Sequence, residues 1–203
     1  MTSARLQAPD ACGAPTAQAE RRLPAEEGVW VFLFGDMTVF AILFSVYLFY
    51  RGQDPAIFNT SQLKLNQTFG VINTLVLLTS SLFVVTAVRA IRQNAYQLAR
   101  RLTYGATACG AIFVIDKAIE YGQKIDHDIV PATNQFFMYF YVMTGLHLFH
   151  VAIGLVLLGF IVKLTRKPTL VDREQGYLEG AACFWHMVDL LWIVIFPLLY
   201  LVK

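Results

Sequence analysis

Ionisable side chains within long apolar runs are the residues of this chain best suited to chemistry. The run from residue 28 to residue 50 contains one ionisable group, Asp36, and the run from 135 to 162 contains His147 and His150 but no Asp, Glu, Lys or Arg. A charge at the middle of a bilayer costs at least ~2.5–3.5 kcal/mol on insertion scales. Such residues therefore indicate a proton or ion path, ligation of haem, or hydrogen bonds between buried helices.

Depth along the helices divides these polar groups into two sets, since an α-helix rises roughly 1.5 Å per residue. The first set lies between the inner membrane surface and the middle of the bilayer and comprises Asp36, His150, His186 and Asp189. The second set lies near the outer surface and comprises Asn73, Asp116, Lys117 and Glu120. Members of each set are expected to pair with one another, as the i,i+3 spacing of Lys117 and Glu120 allows.

Besides hydrogen bonding between helices, two other functions remain open for these residues: ligation of haem and transport of protons. Ligation of haem by two histidines requires both at one depth on facing helices, and only His150 and His186 approach this condition. His147 and His150 can share a helix face, but no carboxylate on that helix completes a metal site. A small proton carrier would use Asp36 together with the histidines. The pattern favours buried polar contacts over a b-haem redox protein or a proton carrier, because polar side chains commonly join helices within membranes.

The elements that must position these groups are long apolar helices. Only 15% of the 203 residues are charged and 57% are hydrophobic, with a mean hydropathy of +0.54. A soluble domain carries about a quarter charged residues, and the net charge of +2 without a basic stripe excludes a nucleic-acid binder. A spanning helix needs roughly 20 apolar residues. The sequence predicts an all-α, integral membrane five-helix bundle with helices at about 28–50, 68–90, 98–122, 134–163 and 179–202.

Composition also predicts the domain boundaries and the orientation. Residues 1–27 are rich in Ala, Pro, Gln and Glu and are expected to form a flexible cytoplasmic tail, while residues 28–203 form the membrane domain. The segment 89–101 carries four arginines and no acid. Because cytoplasmic loops are enriched in Lys and Arg, we expect the N-terminus inside and the C-terminus outside.

Five sequence motifs resemble those of subunit III of the haem-copper oxidase superfamily, the family of cytochrome c oxidase subunit III. They occur in the family's order and together cover residues 28–203. The motifs are GVWVFLFGDMTVFAILFSVYLFYR at 28–51, NTLVLLTSS at 73–81, FVIDKAIEYGQKI at 113–125, TGLHLFHVAIG at 144–154 and EGAACFWHMVDLLWIV at 179–194.

The resemblance implies a non-catalytic accessory subunit of a respiratory oxygen or nitric oxide reductase in a bacterial inner membrane. Such a subunit carries no haem or copper, packs on catalytic subunit I, holds phospholipid in a V-shaped cleft, and supports stability and proton uptake. No catalytic or metal-binding residue is then expected in this chain. The intramembrane polar candidates are Asp36, Asn73, Glu120, His147, His150, Glu179, His186 and Asp189.

Departures from the family pattern indicate which branch the chain resembles. The long form has seven helices, and the five predicted here resemble the third subunit of bacterial quinol oxidases and the E protein encoded with bacterial nitric oxide reductase. Gly35 and Asp36 stand where Ser or Gly followed by Glu is usual, which favours the E-protein type, and Lys117 stands where Gln is common in the oxidases. An assembly factor is the alternative to a permanent subunit.

Overall fold

The structure is a computed structural model that describes residues 27–63, 65–166 and 172–202. Every regular element within these ranges is helical, which confirms the predicted all-α class. In chain order the helices are α1 (Glu27–Gln53), α2 (Pro55–Gln62), α3 (Gln67–Arg92), α4 (Tyr96–Asp126), α5 (Gln135–Leu164) and α6 (Asp172–Phe196), which continues into a π-helical turn (Pro197–Leu201). The tail predicted for residues 1–27 lies outside the described residues except for its last position.

Five of the described helices, α1, α3, α4, α5 and α6 with its π-helical turn, are long and apolar enough to cross a membrane, as predicted. Their spans contain between 26 and 31 residues, which at roughly 1.5 Å per residue exceeds a hydrocarbon core of about 30 Å. The sequence analysis did not predict α2, a polar helix of eight residues that begins at Pro55 in the connection after α1. Proline is favoured in a first helical turn because its missing N–H would have no partner there.

The five spans alternate in direction, so the bundle has two ends. We call the end where α1 begins the N-terminal end and the opposite one the C-terminal end. At the N-terminal end Arg92 of α3 forms a salt bridge with Glu179 of α6, with Nη2 and Oε1 2.5 Å apart. At the C-terminal end the start of α3 is capped by Asn66, whose side chain accepts a hydrogen bond from the Thr68 N–H at 3.0 Å.

Helix α6 is the centre of the bundle and packs against α3, α5 and α1. Its Trp185 is fully buried and lies against two glycines of other helices. A Cβ atom at Gly154 of α5 would lie 2.6 Å from the Trp185 ring, and one at Gly110 of α4 would lie 2.8 Å from it. The absence of a side chain at these glycines therefore allows three helices to approach one bulky ring.

Helix α1 packs more loosely and turns large apolar side chains outwards. Val31, Phe34 and Phe49 are 74%, 64% and 64% exposed. In water such a surface would favour aggregation, but hydrocarbon solvates it without cost. The exposed face of α1 is therefore suited to lipid or to another membrane subunit.

Side chains from α1 and α3 donate hydrogen bonds to backbone carbonyl groups of the π-helical turn at the C-terminal end. The last carbonyl groups of a helix have no N–H partner within the helix, so those at this end need partners from elsewhere. The bonds run from Tyr47 Oη to the Leu198 oxygen at 3.3 Å, from Arg51 Nη2 to the Val202 oxygen at 2.5 Å, and from Gln67 Nε2 to the Tyr200 oxygen at 3.0 Å. These contacts satisfy carbonyls that the irregular helix end would otherwise leave bare.

We expect Gly154→Ala to lower the free energy of unfolding by about 1–3 kcal/mol, because the added methyl group must displace the Trp185 ring from a packed site. Gly159→Ala is the matched control on the same helix, since a Cβ there meets no atom within 4 Å. Unfolding of the full chain in mixed micelles, followed by circular dichroism, measures both. Equal stability of the two variants would contradict the packing described around Trp185.

Candidate functional site

A carboxylate and an imidazole meet between α1 and α5. His150 Nε2 lies 3.0 Å from Asp36 Oδ1, and the two side chains are 6% and 12% exposed. His150 Nδ1 lies 2.7 Å from the backbone oxygen of Leu146. A carbonyl oxygen can only accept a hydrogen bond, so Nδ1 carries a proton. The sequence-based expectation that members of the first polar set pair with one another is met by these two residues.

This Asp36–His150 pair holds one further proton between Nε2 and Oδ1. If the proton lies on nitrogen, the pair is an imidazolium beside a carboxylate; if it lies on oxygen, both groups are neutral. The net charge is zero in either case, which lowers the cost of placing the pair inside a membrane. Both ring nitrogens of His150 are thereby engaged, which counts against ligation of haem by His150 and His186.

Hydroxyl groups of α3 form a polar ladder with α6. The sequence analysis placed His186 in the first polar set but assigned it no hydroxyl partner. The ladder consists of Trp185 Nε1 to Ser80 Oγ at 3.1 Å, His186 Nδ1 with Ser81 Oγ at 2.7 Å, and Trp192 Nε1 to Thr74 Oγ1 at 3.1 Å. Such bonds hold helices together where no hydrophobic effect acts between them. In the sequence, the Thr and Ser residues of NTLVLLTSS (73–81) are the pattern from which these contacts could have been predicted.

Two predicted candidates form no hydrogen bond of normal geometry among the residues that the structure describes, although the Ser81 hydroxyl does interact with the Asp189 carboxyl group. Neither carboxyl oxygen of Asp189 and neither ring nitrogen of His147 has such a bond, and the two residues are 3% and 0% exposed. The His147 ring packs against Trp192, with centroids 5.2 Å apart, and edge-on to Phe113 at 5.5 Å. The structure therefore does not bring Asp189 into a pair with Asp36 or His150, although all three lie in the predicted set.

Four buried residues form an ionic cluster nearer the C-terminal end. We define it as Lys117, Glu120, Lys124 and Tyr200. Glu120 Oε2 lies 2.5 Å from Lys117 Nζ, and Glu120 Oε1 lies 3.6 Å from Lys124 Nζ and accepts from the Tyr200 hydroxyl at 2.8 Å. Lys117 Nζ also donates to the Tyr200 oxygen at 3.0 Å. Glu120 is thus the shared partner of every other member.

Aromatic rings surround the Lys117 ammonium group in place of water. Its Nζ lies 4.6 Å from the ring centroid of Trp192, 5.4 Å from that of Tyr200 and 5.8 Å from that of Phe140. Desolvated cation–π contacts of this kind are worth about 2 kcal/mol. The i,i+4 spacing of Glu120 and Lys124 could have predicted their pairing from the sequence. No local pattern predicts that Tyr200, in the last element of the fold, belongs to the cluster.

The two other predicted polar candidates have partners. Asn73 Nδ2 of α3 donates to Asp116 Oδ2 of α4 at 2.5 Å, so the expected pairing within the second set is present. Glu179 pairs with Arg92 at the N-terminal end, where the side chains are 23% and 64% exposed. The first contact joins two helices inside the bundle, and the second joins two helix ends at its surface.

An apolar groove opens between α1, α5 and α6 near the N-terminal end. Its volume is about 410 Å³, and its lining includes Gly28, Phe32, Ile153, Phe160, Gly176 and Phe184. The Phe184 ring stacks on Phe32 with centroids 6.2 Å apart and on His150 at 6.3 Å. Phe184 thus contacts both a groove residue and His150, whereas neither Asp36 nor His150 lines the groove itself.

The arrangement can hold protons and polar contacts, and it can accommodate an apolar molecule. In the described part of the chain, no three or more His, Cys, Asp and Glu side chains form a group that could hold a metal ion. With both of its ring nitrogens engaged, His150 offers no free nitrogen for ligation of haem together with His186.

Comparison with known proteins gives a consistent match along the chain. A family model described as cytochrome c oxidase subunit III matches residues 23–203. The chain is 34% identical over 176 residues to cytochrome c oxidase subunit 3 of Synechocystis sp., covering 86% of this chain and 74% of that protein. It is 32% identical over 180 residues to cytochrome c oxidase subunit 3 of Alkalihalophilus pseudofirmus, and 28% identical over 180 residues to cytochrome bo(3) ubiquinol oxidase subunit 3 of Buchnera aphidicola; each match covers 86% of this chain and 84% of the relative.

We expect Glu120→Gln to lower the free energy of unfolding by about 3–5 kcal/mol, because it leaves two buried lysines without their shared carboxylate. Glu179→Gln removes a carboxylate from a partly exposed ion pair at the surface of the bundle, and should cost less than about 1 kcal/mol. Denaturant titration of the full chain in mixed micelles compares the two. A loss at Glu120 as small as that at Glu179 would mean that the ionic cluster does not stabilise the bundle.

Proposed function

Because the chain belongs to the cytochrome c oxidase subunit III family, we propose that it stabilises the catalytic subunit of a respiratory enzyme, retains phospholipid beside that subunit and supports its proton uptake. The family consists of non-catalytic subunits of haem-copper oxidases that assemble with catalytic subunit I, and this chain is a multi-pass protein of a bacterial inner membrane. The observation that carries the proposal is the family match over residues 23–203.

An accessory role agrees with the way the polar groups are used. The Asp36–His150 pair, the polar ladder and the ionic cluster join helices of this chain to one another. The apolar outer face of α1 is the surface that we propose packs against the catalytic subunit or its lipid, with the N-terminus on the inner side of the membrane.

We propose that the reaction of the complex is reduction of oxygen, with electrons delivered to metal centres in the partner subunits. The three relatives compared above are each named as an oxidase subunit. Gly35 and Asp36 are the observation that favours the alternative, a nitric oxide reductase. An oxygen reductase and a nitric oxide reductase differ in the gas that the isolated complex consumes.

Phospholipid would be held in a surface recess of mixed polarity that Arg101 lines. The recess is lined by residues 94–98 and by Arg101, at the turn between α3 and α4, and its volume is about 490 Å³. Helix α4 begins there without a side chain that caps its first N–H groups. Free N–H groups at a helix start and an arginine are both suited to a lipid phosphate.

Support of proton uptake would rest on the Asp36–His150 pair. Besides the proton on His150 Nδ1, the pair shares one proton across the contact between Nε2 and Oδ1, and it is buried within the half of the bundle that we propose faces the inner side. Groups of this kind hold protons within membranes. The proposed contribution is to the partner's uptake of protons, rather than to a path across this chain.

We expect the tagged full chain, purified in mild detergent from its own bacterium, to carry a haem-containing subunit at a fixed ratio and to consume oxygen. Recovery of the chain alone under these conditions would contradict a permanent subunit and favour an assembly factor. Consumption of nitric oxide in place of oxygen would favour the reductase alternative. Ion flux in liposomes that contain only this chain, lost in Asp36→Asn, would instead identify a proton carrier.

We expect Arg101→Gln to reduce the amount of anionic phospholipid that remains bound to the full chain, by roughly tenfold at limiting lipid, because one charge-assisted contact is lost. Arg89→Gln is the matched control, since Arg89 is an exposed arginine at the same end of the bundle that does not line the recess. Native mass spectrometry from nanodiscs counts the bound lipids. Equal retention by the two variants would place the lipid elsewhere.

A further inference from the structure

A polar atom lies open on the outer side of α6. His186 is half-buried, and its Nδ1 is engaged with Ser81 Oγ at 2.7 Å. Its Nε2 has no hydrogen bond among the residues that the structure describes, yet the protein does not enclose this atom as it encloses the unpaired carboxyl oxygens of Asp189. The Nε2 atom of His186 can therefore be approached from outside the bundle.

This open nitrogen lies within the hydrocarbon of the membrane. His186 follows Glu179 by seven residues on α6, or about 10 Å along the helix axis, and Glu179 pairs with Arg92 at the surface of the N-terminal end. At such a depth there is no water, and the polar groups of a phospholipid stay nearer the membrane surface. A polar atom left bare in hydrocarbon is costly. A molecule that covers this side of α6 is therefore favoured when it brings a hydrogen-bonding group to the same depth.

The open side of α6 is the floor of a furrow between α1 and α3. Helix α3 contacts α6 at Trp185 and Trp192, and α1 contacts it at Phe184. At roughly 100° per residue, His186 and Leu190 lie between these two sides of α6. Helices α1 and α3 both pack against α6, but neither packs closely against the other. The space between them leaves room for one more element along α6.

The remainder of this surface is apolar. Leu190 lies one turn after His186 on α6 and is 55% exposed, and Leu78 lies one turn before Ser81 on α3 and is also exposed. We define the furrow by these four residues. Helices in a membrane associate through close apolar packing together with hydrogen bonds between side chains. The furrow offers both, whereas an acyl chain could use only the apolar part.

The contact with Ser81 leaves two forms of His186. If the hydroxyl donates to Nδ1, Nε2 carries a proton and is a donor; if the hydroxyl accepts from Nδ1, Nε2 is an acceptor. A partner group that can both donate and accept suits either form. Hydroxyl and amide side chains have this property.

We propose that the furrow binds a transmembrane helix of another subunit, and that this helix presents a Ser, Thr, Asn or Gln side chain to Nε2 of His186. The inference rests on the proposed function as a subunit of a respiratory complex. It adds a second docking surface to the outer face of α1.

Photocrosslinking of the full chain in the membrane of its own bacterium tests the proposal. A photoreactive residue in place of Leu190 should link to a membrane subunit of the complex, within one helical turn of a Ser, Thr, Asn or Gln. Ile112 of α4 is the matched control position, because it is 52% exposed and Gly110 places this part of α4 at the depth of Trp185. A photoreactive residue there should not link to the same helix.

The outcomes separate this inference from the proposed function. Links from position 190 to lipid alone, or to a second copy of this chain, in a complex that contains the catalytic subunit would overturn the furrow as a helix site and leave the accessory role intact. Recovery of the chain without any other subunit would overturn both.

Two variants test the hydrogen bond itself. In His186→Gln the side-chain amide can take the place of Nε2, whereas in His186→Asn it can take the place of Nδ1 and keep only the contact with Ser81. When both variants are produced in the same cells, we expect the complex to contain about threefold less of the Asn variant, relative to the amounts in the whole membrane. This factor corresponds to an average hydrogen bond between membrane helices.

Quantitative mass spectrometry of the peptides that contain position 186 measures the ratio, and the amounts in the whole membrane correct for any difference in folding. Equal incorporation of the two variants would show that assembly forms no hydrogen bond to Nε2, and would overturn the proposal.

Discussion

Every charge inside this bundle must be neutralised by the protein, because hydrocarbon supplies neither water nor counter-ions. In the ionic cluster one carboxylate, Glu120, lies between two lysines and a tyrosine hydroxyl, and the nearby Asp116 acts on Lys117 as a second carboxylate. Aromatic rings complete the surroundings of Lys117. Because the members come from α4 and from the π-helical turn, neutralising the charges also fixes where the end of the chain lies.

The same constraint accounts for the Asp36–His150 pair and for the polar ladder. The pair joins the loosely packed α1 to α5, and the ladder joins α3 to α6. Between helices in lipid, association depends on close packing and hydrogen bonds rather than on burial of apolar surface. Glycines opposite Trp185 supply the packing, and hydroxyl groups on α3 supply the bonds. A fold with a mean hydropathy of +0.54 is thus held together by polar contacts as well as by close packing.

The use of polar groups inside the bundle also explains why an accessory role suits this chain. In the pair, the ladder and the ionic cluster, the polar groups are occupied with one another, and the described residues assemble no group of metal-binding side chains. In the described part of the chain, the surfaces left for other molecules include the outer face of α1, the recess beside Arg101 and the apolar groove between α1, α5 and α6. Each is suited to apolar or amphiphilic molecules of the membrane.

The sequence by itself determined the class of the fold, the number of spans and the contacts within one helix. Apolar runs of roughly 20 residues predict spanning helices, and the pairing of Lys117 with Glu120 follows from the helical repeat. The tertiary structure alone decided which helices face one another. In the structure, Asp36 contacts His150, whereas Asp189 contacts neither of them. His186 has a partner on α3, and Tyr200 is part of the ionic cluster. Depth follows from counting residues, but the rotation of each helix about its axis depends on side chains of all its neighbours, which no single segment encodes.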